Sequence, residues 1–135
     1  MVVNIVCCLF FCIDDYEKME AVRLAKDPHA DPSGSRTIGV LTKPDLLISG
    51  LTNARAAWKA VLEGRSHQTR HGYFCVRLPD DEERKSGTTK ARLNELADEL
   101  FDDIPPWNEI LDRSRFGIPN LVRYTSDLLI QLIQD

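Results

Sequence analysis

The sequence predicts an α/β fold, with about three parallel strands, flanking helices and a carboxyl-terminal helix. Apolar runs short enough to be strands occur near residues 2–12, 37–41 and 73–78, and each is followed by a segment of helical periodicity. The first run is continuously apolar rather than alternating, the pattern of a strand buried on both faces of a parallel sheet. Turn-forming clusters such as Asp27-Pro28 and Asp31-Pro32-Ser33-Gly34 punctuate the elements. A length of 135 residues suits one domain or part of one.

Val2 to Cys12 is the first expected strand. It has no basic segment before it and no small-residue cleavage site, Asp14-Asp15 follow directly, and it is too short to span a bilayer. Asp14 or Asp15 is placed to cap a helix running to about Lys26, with Met19, Val22 and Ala25 on its inner face. The 36–42 strand completes a βαβ unit. Leu46 to Gly50 reads as a loop or short turn, and Thr52 or Asn53 as the cap of a helix over about Ala54–Leu62. In that helix Ala57, Trp58, Val61 and Leu62 are expected to point inward, with Gly64 as its stop. Tyr73 to Leu78 is the third strand. Asp80 to Gly87 reads as a charged loop, and Thr88 or Thr89 as the cap of a helix over about Lys90–Phe101 with Leu93, Leu96, Ala97 and Leu100 inside. Pro105-Pro106 ends that region. A last helix is expected over about Pro119–Gln134, with Leu121, Thr125, Leu128, Leu129 and Leu132 as its apolar stripe.

The stretch that carries chemistry is Thr37-Ile38-Gly39-Val40-Leu41-Thr42-Lys43-Pro44-Asp45. A buried strand there delivers Thr42, Lys43 and Asp45 at its carboxyl end, where open α/β sheets bind ligands. A carboxylate accepts two parallel hydrogen bonds from a group with two adjacent N–H donors. Guanine offers such a pair, N1–H and its exocyclic amine, whereas adenine presents an acceptor at N1. The alkyl stem of Lys43 is long enough to lie across a base. The alternative reading of Pro44-Asp45 is simply the start of a turn or helix.

Thr42-Lys43-Pro44-Asp45 after a hydrophobic strand resembles the guanine-reading element of dynamin-like large GTPases. The likeness extends through Asp31-Pro32-Ser33-Gly34, Trp58, Gly72-Tyr73-Phe74 and Phe116-Gly117-Ile118-Pro119-Asn120-Leu121, from about Asp14 onward. It implies the second half of a dynamin-type G domain, a partial Rossmann-like GTPase fold beginning at its fourth strand. Residues 1–79 would form the strand-helix core and 80–135 a helical carboxyl-terminal part. By this resemblance Asp45 reads guanine, Lys43 stacks on it and Thr42 supports the turn. In the family a second, asparagine-led turn closes over the base. Leu78 stands at that asparagine's position, so Leu78 is expected to cover the ring while Asp80 or backbone groups supply polar contacts.

The resemblance also implies GTP or GDP as ligand, GTP hydrolysis coupled to membrane remodelling, and self-association or pairing with intact dynamin-like GTPases. Contact with membranes and cytoskeleton, and a cytoplasmic location at the periphery of organelle membranes, are expected on the same ground. Mg²⁺ is expected of the intact domain, but its ligands are not found in this sequence. No P-loop of the form G-x-x-x-x-G-K-[ST], no D-x-P-G element and no upstream switch threonine occur in these 135 residues. The chain is therefore expected to bind guanine nucleotide without catalysing hydrolysis alone, and no catalytic residue is assigned. A non-catalytic fragment that pairs with intact relatives is the alternative.

A net charge of −4 argues against nonspecific nucleic-acid binding. Cys7, Cys8, Cys12 and Cys75 form no C-x-x-C pair and read as buried reduced thiols, which fits a reducing compartment. His67 and His71 have the spacing of helical metal ligands, but the Gly72 that follows opens a strand and no carboxylate is near, so no metal site is expected.

Overall fold

The computed structural model describes residues 6–11, 31, 33–46, 50–66 and 69–134, the first of these segments by its backbone alone. Three strands, β1 (Val6–Phe11), β2 (Thr37–Thr42) and β3 (Tyr73–Val76), form a parallel sheet in the order β1-β2-β3. The register pairs Val6 with Thr37 through Phe11 with Thr42, and Gly39 with Tyr73 through Thr42 with Val76. All three strands therefore end together at one edge of the sheet. The helix expected over residues 14–26 and the insertion Pro28-His29-Ala30 lie outside the described residues.

The described residues also form four α-helices: α1 (Thr52–Leu62), between β2 and β3, then α2 (Asp81–Ser86), α3 (Lys90–Asp103) and α4 (Ile118–Gln134). The two faces of the sheet bury different partners, as the alternation of strand side chains requires. Leu41, Tyr73 and Cys75 pack with Trp58, Val61 and Leu62 of α1, Ala97 and Phe101 of α3, and Trp107, Ile110 and Phe116. Ile38, Val40, Phe74 and Val76 pack on the other side with Leu128, Leu121, Tyr124 and Leu132 of α4. The result is a helix–sheet–helix sandwich, the arrangement expected of a partial Rossmann-like fold.

One contact sets how closely β2 and β3 approach. Gly39 lies under the ring of Tyr73, and a Cβ added there would come within 2.2 Å of Tyr73 Cδ1. Beyond β3, Cys75 forms a parallel bridge with Phe116, and the Gly117 N–H donates to the Cys75 carbonyl at 2.9 Å.

Several boundaries differ from expectation. Helix α1 starts at Thr52, so neither Thr52 nor Asn53 caps it; Leu51 occupies that position with no side-chain bond. Ala57 is exposed, while Trp58, Val61 and Leu62 are buried. Strand β3 stops at Val76, two residues before Leu78. The stretch 80–87 is not an open loop but the helix α2, because Asp80 and Glu83 form a reciprocal capping box and Gly87 closes the other end in a left-handed turn at φ 67°. The Thr89 side chain caps α3, accepting from the Arg92 N–H at 3.2 Å. In α4 Leu129 leaves the expected stripe: Leu121, Tyr124, Leu128 and Leu132 face the sheet, and Leu129 joins Ile118, Val122 and Ile133 on a second, exposed apolar face. None of the described helices is long and apolar enough to cross a membrane.

The segment between α3 and α4 has two short 3-10 turns, Trp107–Glu109 and Arg113–Arg115, and is gathered by one side chain. Arg113 donates to the carbonyls of Phe101 at 2.7 Å, Trp107 at 2.7 Å and Ile110 at 3.1 Å, and lies 4.6 Å from the Phe116 ring centroid. The Phe101 carbonyl belongs to the last turn of α3, which has no partner within the helix. Trp107 is fully buried, as an anchor should be.

Candidate functional site

The common carboxyl edge of the strands carries the residues singled out by the sequence. Thr42 ends β2 and is buried at 4% exposure. The chain then turns sharply at Lys43, whose φ of 56° is left-handed, and enters a 3-10 turn over Pro44–Leu46. An unbranched lysine at positive φ is uncommon and strained, and such residues concentrate where a side chain must be aimed. Lys43 and Asp45 are exposed while Pro44 between them is buried. The proline thus anchors the turn and the two charged side chains stand out from it. Asp45 makes no hydrogen bond or ion pair with any described residue, which leaves its carboxylate open to a ligand.

Strand β3 delivers the second half of the site. Thr42 pairs with Val76, so Lys43 and Arg77 are the first residues past the last pair on neighbouring strands. Arg77 is held by two parallel bonds to Glu83, Nη1 to Oε2 at 3.1 Å and Nη2 to Oε1 at 2.8 Å. Both side chains are largely buried, at 16% and 13% exposure. Glu83 Oε1 also accepts from the Asp80 N–H at 3.2 Å, and Asp80 Oδ1 accepts from the Glu83 N–H at 2.8 Å. Arg77, Asp80 and Glu83 therefore form one cluster that fixes the turn carrying Leu78. Leu78 itself is 37% exposed and presents an apolar surface.

The electrostatics follow from this geometry. Hydrogen bonding by Arg77, joined by the Asp80 N–H, draws the Glu83 carboxyl down to about 2 from an ordinary 4.5. Hydrogen bonding to Glu83, with the charges of Glu83, Asp45 and Asp80, holds Arg77 more firmly protonated, against the opposing effect of its burial. Among the described residues no three His, Cys, Asp or Glu side chains gather as a metal cluster.

Thr42, Lys43, Asp45, Leu78 and Asp80 are thus carried on the same edge of the sheet by adjacent strands. Asp80 commits one carboxylate oxygen to its helix cap. Sequence reasoning gave Arg77 and Glu83 no role in the base site, although the spacing Asp80-x-x-Glu83 is the signature of a capping box. His71 is structural: Nε2 lies 2.7 Å from the Ser35 carbonyl and Nδ1 lies 2.8 Å from the Tyr124 hydroxyl. His67 lies outside the described residues. A cavity of about 330 Å³ opens at the opposite, amino end of β3, between Leu62, Gly64, Gly72, Ile110 and Arg115.

No family model matches the sequence. Comparison with curated proteins finds an interferon-induced GTP-binding protein Mx1 of Canis lupus familiaris, 30% identical over 122 residues, or 90% of this chain and 18% of that protein. An interferon-induced GTP-binding protein Mx2 of Sus scrofa is 31% identical over 121 residues, covering 87% of this chain and 16% of its own length. A third, Mx2 of Ictalurus punctatus, is 29% identical over 122 residues, covering 90% of this chain and 19% of its own. The chain spans less than a fifth of the length of these relatives. Likeness across nine-tenths of its residues, on a parallel sheet that ends in Thr42-Lys43-Pro44-Asp45, is consistent with a fragment of a dynamin-type G domain.

Proposed function

We propose that this chain is the base-recognition part of a dynamin-type G domain, binding the guanine end of GTP or GDP without hydrolysing it alone. The observation that supports this best is the Asp45 carboxylate, exposed and without a hydrogen bond among the described residues, at the carboxyl end of β2 beside the β3 turn. It accepts N1–H and the exocyclic amine of guanine. Lys43, aimed by its left-handed backbone, lays its alkyl stem on the base, and Leu78 covers the ring from the β3 side. Thr42 anchors the turn, and Asp80 holds the second loop through its cap. The residue types fit a guanine base.

The phosphates and Mg²⁺ need a glycine-rich nest, a lysine and a hydroxyl ligand, and these 135 residues contain no such pattern. Contacts confined to the base are equal in ground and transition states and do not accelerate phosphoryl transfer. Purified chain with GTP and Mg²⁺ is expected to release phosphate no faster than buffer. Saturable release that disappears in Asp45→Ala would overturn this. GTP hydrolysis coupled to membrane remodelling, at the cytoplasmic periphery of organelle membranes, belongs by this reading to the whole family architecture.

The base assignment has its own test. Asp45→Asn replaces one acceptor oxygen with a donor, so guanine nucleotides should bind more weakly by on the order of 1.5–3 kcal/mol. Preference should move toward xanthine, whose 2-oxo group suits the amide. Equal guanine binding by both proteins would reject Asp45 as the reader.

A second reading is favoured by α4, which exposes Ile118, Val122, Leu129 and Ile133 on one face. In that reading the chain is a non-catalytic fragment that pairs with an intact dynamin-like relative. Co-purification with a full-length relative, lost in Val122→Glu/Ile133→Glu, would support it. Pairing that survives the double substitution would not.

A further inference from the structure

Guanine differs from adenine on two adjacent parts of one edge. It donates at N1 and the exocyclic amine, and it accepts at its 6-oxo group. Asp45 satisfies only the donors. The 6-oxo group needs an N–H, which the Leu78 side chain does not have.

We infer that Arg77 is the specificity-determining donor that recognises the 6-oxo group of the base, an inference that rests on the reading of Asp45 given above. Arg77 follows the last residue of β3 and stands level with Lys43, two residues from Asp45 in the neighbouring turn. Its guanidinium is fixed by two parallel bonds to Glu83, which is itself held by the Asp80 cap. Two of its five N–H groups are used in this way. The others make no hydrogen bond to a described residue. Arg77 and Asp45 sense each other's charge, but no ion pair within 4.0 Å joins them among the described residues. A cationic donor and a carboxylate acceptor thus stand just past the ends of neighbouring strands without being paired to each other. That order of donor and acceptor is complementary to guanine's 6-oxo and N1–H/amine edge. It sets donor against donor for adenine, whose 6-position is an amine.

The experiment uses the full 135-residue chain and ligand-observed NMR titration with guanosine and 6-thioguanosine. The thio analogue keeps N1–H and the exocyclic amine but replaces the 6-oxo oxygen by sulfur, a poor acceptor. The natural chain should prefer guanosine by about tenfold. In Arg77→Met the preference for guanosine over 6-thioguanosine should disappear, the loss falling on guanosine more than on the thio analogue. Thermal melting checks folding. If the single variant leaves Glu83 unpaired and fails to fold, Arg77→Met/Glu83→Gln removes both partners and gives the same readout. An equal loss for both nucleosides would reduce Arg77 to holding the loop, and a preserved preference would exclude it from the site; either result overturns the inference. The Asp45 reading fails separately: Asp45→Asn would bind guanosine as the natural chain does and gain nothing for xanthosine.

Discussion

The two ends of the sheet treat their polar groups in opposite ways. At the amino end they are engaged with one another. Asp31, 4% exposed, accepts from the Thr37 hydroxyl at 2.6 Å and the Arg36 N–H at 2.8 Å. His71 joins the Ser35 carbonyl to Tyr124, and Arg115 donates to the His71 carbonyl at 2.8 Å while lying 4.9 Å from the Phe74 ring centroid. At the carboxyl end Lys43 takes a left-handed backbone, Asp45 makes no hydrogen bond to a described residue, and Arg77, Glu83 and Asp80 form a cluster. The amino end holds the strands in register, and the carboxyl end presents the Asp45 carboxylate that we propose reads the base. By the proposed reading, stability and binding are divided between opposite ends of the sheet, with the ligand at the carboxyl ends of the strands.

The sharpest way to break the comparison is at the amino end. Gly39→Ala drives a Cβ into the Tyr73 ring between the first paired residues of β2 and β3, and should cost about 2–3 kcal/mol of stability. Denaturant melts would measure this. Base selectivity, read as guanosine against adenosine, should stay unchanged in whatever fraction folds. A loss of selectivity at full stability would mean that the two ends are not separate in role.

Asp31→Ala comes next. It leaves the Thr37 hydroxyl and the Arg36 N–H without their buried acceptor, at a cost of about 1–3 kcal/mol. Burial alone would raise the pKa of this carboxyl. The hydrogen bonds from Thr37 and Arg36, with the Arg36 charge, outweigh that and hold it below 3.8. Its contribution is therefore complete above 3.8 and is lost as pH falls through the lower folded value. The difference in stability between Asp31→Ala and the natural chain should narrow in acid below that point. A difference that persists unchanged there would show that the carboxylate's charge has no part in it.

Lys43→Gly sharpens the comparison from the other side. It relieves the left-handed strain, less the greater chain entropy of glycine, and should raise stability by about 0.5–1 kcal/mol while weakening guanosine binding. A destabilised variant would mean that Lys43 is held by its surroundings rather than strained.

The smallest effect is the titration of Glu83. With its folded pKa near 2 and an ordinary value of 4.5, its pairing with Arg77 is complete above 4.5 and is lost as pH falls through about 2. Carboxyl-carbon NMR should show Glu83 still ionised at pH 3.5. A midpoint near 4.5 would mean that the cluster does not form.

How much of this was legible in the sequence depended on how local each cause is. The parallel sheet was visible because continuous apolar runs separated by helical periods have few other solutions. The turn after β2 was visible because its chemistry sits in four consecutive residues. Helix α2 was missed because Asp81-Glu82-Glu83-Arg84-Lys85 has no buried face, and its capping box is easily read as mere charge. Leu129 was misassigned because α4 is apolar on two sides, and only the sheet decides which side it covers. Arg77 was not assigned to the base site because its partner Glu83 lies beyond a turn whose path the sequence does not specify.

Arg113 gives the connection between α3 and α4 a character of its own. One carbonyl from the last turn of α3 and two from the Trp107 turn converge on one guanidinium, so Arg113 ties the two elements together beside the buried Trp107 anchor. A lysine has the charge but not the planar fork that reaches all three. Local opening of this segment should therefore be all-or-none: amide exchange across residues 104–112 would follow one shared rate rather than a gradient from either helix.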